Sequence, residues 1–337
     1  MKSHLSLILF ISMFLIGGCQ KELEQITVIE NNPWRLPHTS LFGVKSNPRE
    51  VRELIYDNEQ LAQGTSYSYD ENGNLIYYNP WYAVDGFEKN RPSYSFDWGT
   101  NADRYSEYKY EYDSDNRIKT VTKINFGEIT DRFEFAYGKH KKYAPMPLPL
   151  GNYSFYLLEG LSRVVSENEG EIFVCDGNNA VFKHRSFLAA RTVTFTFNDR
   201  FPIVATDVSE RNGQELSRVE TEYEYNDAGY LLKTIQIDKT EQTLYTTTHY
   251  SPVYLLNLLS VTVSNEVSKA SLRYTYNEFG WPIKIMQDSD DTAMCEEFIY
   301  TETDSHKNWI RRMRSGISYS DPTLPEGTLE YVRQINY

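Results

Sequence analysis

The side chains that most often carry catalysis are spread along this sequence without the spacing that catalysis requires. None of the six histidines stands in an H-E-x-x-H arrangement, which would place two zinc ligands on one helix face. There is no G-x-S-x-G nucleophile elbow and no glycine-rich phosphate loop. Carboxylates are abundant, but the sequence marks no two of them as a glycosidase pair. We therefore expect no catalytic residue and no cofactor. The alternative is a glycan-acting hydrolase whose carboxylates only the fold brings together.

Two acidic stretches are candidates for metal ligands. The sequence DSDNRI at 113–118 begins like a calcium loop, but Arg117 falls on the fifth ligand position and no glycine follows. The run from Asp288 to Asp291 has the composition of a solvated loop. Neither stretch predicts a metal site.

Several aromatic residues fall outside the positions that a strand would bury. Trp81 and Tyr82 belong to the aromatic stretch YYNPWYAVDGF at 77–87, and Trp98 and Trp281 fall in turn positions. Aromatic rings on a rigid sheet stack on sugars or on the apolar patch of a partner. The sequence predicts a contact surface at these four residues. The alternative is that the rings cover the edge of their own sheet.

The candidate residues above lie within a repeated hairpin pattern, which determines where the fold places them. In each copy a strand ends at an anchor residue, an Asp or Asn follows directly, and a turn residue stands three positions later. The Asx positions are Asp70, Asp113, Asn226, Asn277 and Asp304, and the turn residues are Gly73, Asn116, Gly229, Gly280 and Lys307. Asp and Asn accept hydrogen bonds from amides two residues on, and glycine adopts positive φ without steric cost. The spacing predicts a type I turn with a bulge between antiparallel strands.

The strands before these turns alternate between aromatic and charged residues. Tyr108, Tyr110 and Tyr112 face one way, while Lys109 and Glu111 face the other. Such a strand has one buried face. The 27 tyrosines of the chain therefore predict cross-strand aromatic ladders. By the same pattern Trp309, in an inward position, is expected in the core.

The Tyr-Asp turns resemble the YD (Rhs-like) repeat family, and in particular the YD-like repeats of Bacteroidetes lipoproteins. The resemblance implies an all-β fold of tandem antiparallel hairpins that form an extended, twisted or curled sheet with little helix. We find no Rhs core motif and no toxin-like carboxy-terminal domain.

The repeat pattern divides the chain. Residues 46–138 and 192–337 are predicted to be two hairpin arrays, and 139–191 an irregular, proline-rich linker or excursion. The stretch 155–165 is predicted as a short helix. The alternating segment 329–337 is expected to close the sheet as its final strand. One continuous sheet and two separate domains both remain open.

The amino terminus has the features of an export signal. An apolar run from Leu5 to Gly18 is shorter than the roughly 17–25 residues that a membrane helix needs. Its ending, LIGGC, resembles a bacterial lipoprotein signal, which implies a signal peptide at 1–18, a lipid on Cys19 and a tether at 19–45. The following KELE is similar to the surface-export signal of Bacteroidetes lipoproteins. We expect an outer-membrane lipoprotein at the cell surface, with the periplasm-facing orientation as the alternative.

The net charge limits the kinds of binding partner, and the cysteine count limits the possible disulfides. The chain carries a formal charge of −13 without a basic patch, which argues against nucleic acid. Past Cys19 only Cys175 and Cys295 remain, and they either pair or stay as two buried thiols. We expect a non-catalytic scaffold, anchored in the membrane through its lipid, that binds a glycan, an envelope component or a protein. A relic or accessory of an Rhs-type system is a further alternative.

The anchor can be tested by Cys19→Ser. This variant should partition into the aqueous phase, or stay unprocessed, because the lipid is the expected membrane attachment. Detergent-phase partitioning of wild type and variant measures the effect. Equal retention of both proteins in the detergent phase would contradict the lipid anchor.

Overall fold

The structure is a computed structural model of the 337-residue chain. It describes residues 34, 44–57, 59–82, 106–148, 150, 155–176, 178–185, 189–240, 244–252, 256–264, 269–289, 293–318 and 328–337. No α-helix occurs in these ranges. Within them, no helical segment has the length and hydropathy needed to cross a membrane.

Strands account for most of the described residues. In chain order they are β1 Glu50–Asp57, β2 Gln60–Tyr69, β3 Leu75–Tyr82, β4 Glu107–Tyr112, β5 Ile118–Asn125, β6 Glu128–Tyr137, β7 Tyr143–Pro145, β8 Leu157–Glu159, β9 Leu161–Ser166, β10 Gly170–Cys175, β11 Asn179–Arg185, β12 Ala190–Phe197, β13 Pro202–Arg211, β14 Gln214–Tyr225, β15 Leu231–Asp238, β16 Leu244–Tyr250, β17 Leu258–Ser264, β18 Lys269–Tyr276, β19 Pro282–Ser289, β20 Ala293–Thr303, β21 Trp309–Ser318 and β22 Thr328–Asn336.

The described strands form one closed antiparallel barrel of 20 strands. Each wall strand pairs with the next along the chain, except that β6 pairs with β9 and leaves the small β7–β8 hairpin outside the main sheet. The last strand β22 pairs with β1, as Glu53 opposite Arg333 illustrates. The prediction of an all-β fold of antiparallel hairpins is confirmed, and the two predicted hairpin arrays are one sheet. This sheet is a closed barrel rather than the extended, twisted or curled sheet that was predicted. Closure pairs both edge strands and leaves no open edge.

The predicted role of the last segment is confirmed. β22 pairs with β21 on one side and with β1 on the other. At this seam the Arg333 guanidinium contacts the Glu53 carboxylate, with Nε to Oε1 at 2.6 Å. The seam is thus joined by a backbone ladder and an ion pair.

The Asx turns lie together at one end of the barrel, which we call the turn rim. Asp70 Oδ1 accepts hydrogen bonds from the amides of Asn72 and Asn74, both at 2.9 Å. The predicted positive φ is confirmed at four turn residues, with values of 79° at Gly73, 62° at Asn116, 85° at Gly229 and 76° at Gly280. Lys307 departs from the glycine or asparagine preference, so its turn was expected to be strained or differently shaped, but it also has a positive φ of 61°. Lys307 therefore takes the same turn shape as glycine. Adjacent turns also bond to each other, as Asn74 Nδ2 donates to Asn116 Oδ1 at 2.6 Å.

The tyrosines line the inner face of the wall, as the alternation predicts. Tyr67, Tyr78 and Tyr108 form a ladder across three strands, with ring centroids 5.5 and 6.4 Å apart. All three are buried. Lys109 and Glu111 on the same strand as Tyr108 are exposed on the outer face.

Four tyrosines near the turn rim also bridge neighbouring strands through their hydroxyls. In the described residues, each of these hydroxyls donates to the carbonyl of the first residue of the preceding strand, at 2.6 to 2.9 Å: Tyr112 to Leu75, Tyr137 to Ile118, Tyr276 to Leu258 and Tyr300 to Pro282. Of the four, Tyr112 and Tyr276 are anchor residues directly before an Asx turn. Burial raises the pKa of each of Tyr112, Tyr137 and Tyr300. These phenols therefore stay protonated and keep donating at physiological pH.

The predicted linker at 139–191 has two different parts. Residues from 161 onward form the wall strands β9 to β11, whereas 139–160 carries the β7–β8 hairpin. The predicted helix at 155–165 was wrong, because this stretch forms β8 and β9. Leu157, Leu161 and Val164 are buried along it.

The turn at Gly229 depends on the absence of a side chain. A Cβ there would lie 2.7 Å from the ring of Phe201, whereas Gly213, with φ +77°, has no atom within 4 Å of its Cβ position. Gly229→Ala should therefore lower the free energy of unfolding by about 2–4 kcal/mol, and Gly213→Ala by about 1 kcal/mol, since only the first adds a clash to backbone strain. Urea denaturation measures both. Equal losses would contradict the close approach of Phe201.

Candidate functional site

The four aromatic residues predicted as a contact surface do not share one environment. Trp281 is buried, with 5% of its surface exposed, and its ring centroid lies 5.0 Å from that of Tyr300. The prediction that Trp281 is an exposed contact residue was wrong. It occupies the turn position held elsewhere by Asn74 and Asn308, and both of these are also buried.

The other three predicted contact residues stay a prediction. Trp81 and Tyr82 end β3, where their backbones pair with Gly64 and Gln63. Their side chains, and all of Trp98, lie outside the described residues. Trp309 is buried at 3% exposure, which confirms its predicted place in the core.

The barrel interior contains a plug at the turn-rim end. We define the plug as Trp34 together with the described residues of 139–160. Trp34 Nε1 donates to the Gly229 carbonyl at 2.9 Å, and the buried Tyr156 hydroxyl donates to the Trp34 carbonyl. The ring of Phe155 stacks on Tyr223 of the wall at 5.3 Å. The plug is therefore fixed to the inner wall by hydrogen bonds and by ring contacts.

Beside the plug lies a cavity of about 460 Å³, which we call the lumen cavity. Its size is within the roughly 300–1,000 Å³ of small-molecule sites. One side is apolar and aromatic, formed by the plug and β10 to β15: Met146, Phe155, Phe173, Phe182, Phe195, Tyr223 and Leu231. This side offers flat rings to a ligand.

The part of the lumen cavity further from the turn rim is polar. It carries hydroxyl and amide groups from the inner faces of β14 to β16: Thr221, Thr234, Gln236, Thr246 and Thr248. Arg191 and Asp207 add an ion pair there, with Nη2 to Oδ2 at 2.6 Å. About half of the Arg191 side chain is exposed, so water reaches this part of the lumen. The cavity thus combines stacking surfaces with hydrogen-bonding groups.

A second cavity, of about 520 Å³, opens at the turn rim between the Asp113 turn and the plug. His140 lines it with both ring nitrogens buried and without a hydrogen-bond partner. Burial, with a smaller contribution from Lys142, lowers the pKa of His140. The ring is therefore neutral at physiological pH, and this cavity lacks the row of hydroxyls found in the lumen cavity.

In the two acidic stretches considered as metal sites, arginine side chains pair with the carboxylates. Arg117 pairs with Asp113 at 2.7 Å and with Asp115 at 3.0 Å. Arg273 pairs with Asp288, while Asp290 and Asp291 lie outside the described residues. Across the described part of the chain no group of three or more His, Cys, Asp or Glu side chains is arranged to hold a metal ion.

The two remaining cysteines do not pair. Cys175 and Cys295 are both buried thiols that form no disulfide, which is the second of the two alternatives left open by the sequence. Neither lines the lumen cavity.

Sequence reasoning missed the polar side of the lumen cavity. The signal that could have found it is the alternation in β16, where Thr246, Thr248 and Tyr250 share one face. These threonines belong to strands of ordinary β composition. Only closure of the sheet makes their face an interior one.

Comparisons with known proteins give little further information. No protein-family model and no curated protein matches this chain. A porin-like protein from Bacteroides uniformis is 10% identical, with 86% of this chain and 96% of that chain covered and a TM-score of 0.33. The Photorhabdus luminescens Tc holotoxin pore and TcdB2-TccC3-TEV are each 14% identical, with 79% of this chain covered and a TM-score of 0.27. This chain spans 13% of those two toxin chains. With TM-scores below 0.5, these likenesses assign no function.

The contact between Tyr156 and Trp34 within the plug is testable. Tyr156→Phe removes the donor to the Trp34 carbonyl and should weaken the attachment of Trp34 by about 1–2 kcal/mol. Limited proteolysis should then cut near Trp34 faster than in wild type. Tyr137→Phe, which removes a wall bridge to Ile118, is the control. Equal acceleration of this cleavage in both variants would contradict the assigned contact.

Proposed function

We propose that this protein is a membrane-anchored, non-catalytic binding protein that takes a sugar-containing ligand in the lumen cavity. The observation that supports the proposal best is the two-sided lining of this cavity, with rings on one side and a row of threonines on the other. The anchor would be the lipid on Cys19, and the location the outer membrane, at the cell surface.

The exposed residues on the outer face of the wall support the proposal that the barrel lies in water beside the membrane. Charged residues are exposed at mid-strand on neighbouring strands of the outer face: Lys109, Glu111, Arg132, Glu134, Arg163 and Glu171. A barrel that spans a bilayer presents an apolar band about 25 Å tall to lipid, and a charge at its midplane costs about 2–4 kcal/mol. Hence we assign membrane attachment to the lipid.

The chemistry of the lumen cavity matches a sugar ring. A pyranose has an apolar face of C–H groups that stacks on aromatic rings, and a rim of hydroxyls that needs donors and acceptors. The stacked rings of Phe155 and Tyr223 line the cavity as a pair, and threonine hydroxyls serve as both donors and acceptors. The Arg191–Asp207 pair offers a further charged hydrogen-bonding group.

The hydrolase alternative requires a pair of carboxylates at about 5–9.5 Å across a ligand. Among the described residues that line the lumen cavity, Asp207 is the one carboxylate, and it is engaged by Arg191. This lining favours binding over hydrolysis.

The proposal is tested with purified protein in a non-ionic detergent on a glycan array, followed by titration with the oligosaccharides that are retained. The double variant Thr246→Val, Thr248→Val keeps side-chain shape and removes two cavity hydroxyls. Each lost hydrogen bond of about 0.5–1.5 kcal/mol weakens affinity about two- to tenfold.

The matched control is Thr247→Val, on the same strand but on the outer face by alternation. It should bind like wild type. The proposal fails if wild type retains no glycan, or if the double variant binds as well as the control.

A further inference from the structure

An ion pair in the lumen cavity has one edge that no described protein group uses. Arg191 of β12 and Asp207 of β13 both line the cavity. The Arg191 Nε donates to both carboxylate oxygens of Asp207 at 3.0 Å, and Nη2 donates to Oδ2 at 2.6 Å. These bonds occupy one edge of the guanidinium. The other edge, formed by Nη1 and the second N–H of Nη2, has no acceptor among the described residues.

The unused edge of Arg191 is accessible to a ligand. The Arg191 side chain is 53% exposed, although it belongs to the inner face of the wall. Some side-chain nitrogens of the described residues are buried without a hydrogen-bond partner, such as Nε of Arg312, but no atom of Arg191 is among them. The Nη1 group is therefore open to water, in a cavity whose volume of about 460 Å³ leaves room for a bound molecule.

The charges around this edge do not favour an anion. Arg191 and Asp207 cancel each other, and no other described side chain that lines the cavity is charged. His184 is paired with Arg191 in the β11–β12 ladder, and its Nδ1 lies 3.0 Å from the Glu169 carboxylate. This second pair adds no net positive charge, even with a protonated imidazole. A carboxylate or sulfate on a ligand would therefore bring an uncompensated negative charge close to Asp207.

Hydroxyl groups fit the same edge without adding charge. A guanidinium holds its N–H donors in a fixed fork, so the open edge of Arg191 can bond two neighbouring oxygen atoms. Two adjacent ring hydroxyls of a sugar provide such a pair of acceptors. Asp207 Oδ1 accepts one bond, from Arg191 Nε, and so keeps an acceptor site for a hydroxyl proton. Together the two side chains offer donors and an acceptor to a sugar.

We propose that the Arg191–Asp207 pair selects an uncharged sugar over its acidic counterpart by binding two adjacent hydroxyls. Arg191 donates from Nη1 and Nη2 to the two hydroxyl oxygens. The Asp207 carboxylate repels an anionic group that would take the same place. This inference rests on the proposed function, because it specifies which sugars the lumen cavity accepts.

The test measures binding by isothermal titration calorimetry, with the full-length protein in a polyoxyethylene detergent, which contains no sugar. The probes are the methyl glycosides of glucose, galactose and mannose, each compared with its own uronate. We expect wild type to bind at least one neutral glycoside. The matching uronate should bind at least about tenfold more weakly, because it places a second negative charge beside Asp207.

Two variants separate the roles of the pair. Arg191→Lys keeps the charge but loses the fork, and it should weaken binding of the neutral glycoside about tenfold or more. Asp207→Asn removes the negative charge with little change of shape and leaves the charge of Arg191 uncompensated. This variant should bind the uronate at least about tenfold more tightly than wild type does. A merely structural role of Asp207 would not improve the binding of any ligand.

The matched control is Asp288→Asn. Asp288 also pairs with an arginine diagonally across two neighbouring strands, but its partner Arg273 lies on the outer face by alternation with Tyr274 and Tyr276. The control should bind both the glycoside and the uronate as wild type does.

The outcomes separate this inference from the proposed function. If wild type binds none of the probes, the inference fails, whereas the proposed function fails only if the glycan array also retains nothing. If a neutral glycoside binds, the inference is overturned when the uronate binds as tightly in wild type. It is also overturned when Asp207→Asn gains no more affinity for the uronate than Asp288→Asn. Should Arg191→Lys not fold, the two aspartate variants give the same decision.

Discussion

The antiparallel backbone ladder joins each wall strand to the next, and at four places near the turn rim a tyrosine hydroxyl extends it by bonding to a strand carbonyl. Between β3 and β4 the backbone ladder ends at Tyr77 and Lys109, and the Leu75 carbonyl lies beyond it. The Tyr112 hydroxyl donates a hydrogen bond to that carbonyl, so a side chain continues the hydrogen bonding of the ladder as far as the turn rim. The same relation holds for Tyr137, where the β5–β6 ladder ends at Thr120 and the bonded carbonyl belongs to Ile118. At these positions phenylalanine would fill the same space but leave a buried carbonyl without a donor. The bond is not common to all anchors, because the buried hydroxyl of the anchor Tyr225 makes no hydrogen bond.

This arrangement constrains the rest of the barrel. Because each bridge sets one hairpin against its neighbour at the turn rim, the hairpins add in one direction and with one twist. After twenty strands in the described chain the last meets the first, and the Glu53–Arg333 pair lies at that seam. A barrel of this size leaves a wide interior, since barrels of 16–18 strands already enclose an aqueous channel. The plug fills one end of it, and the remaining interior holds cavities and paired charges.

Both faces of the barrel wall contact water, the outer face more than the inner face. The outer face carries many exposed charged residues together with exposed apolar ones such as Ile299 and Met313, and the inner face changes along the barrel from buried tyrosines near β2 to β4 to half-buried threonines near β14 to β16. Arginines enter the interior only with compensation, by a carboxylate as at Arg314 or by aromatic rings as at Arg312. Among the described residues, the lumen cavity therefore combines aromatic rings with hydrogen-bonding side chains on rigid wall strands.

The sequence by itself determined the local structure. The Asx and glycine spacing dictates each turn, because hydrogen bonds over two residues and positive φ are local properties. Alternation assigns tyrosine to a buried face and lysine or glutamate to an exposed one, and it places Trp309 correctly in the core.

Only the tertiary structure decided that the sheet closes, that 139–160 folds inside it, and that Trp281 is buried. Closure depends on strand pairing across nearly 280 residues, as between Glu53 and Arg333, and no local pattern encodes such a contact. For the same reason the candidate sites were invisible in the sequence: a threonine or an arginine on a strand becomes a lumenal residue only when the wall has curved around it.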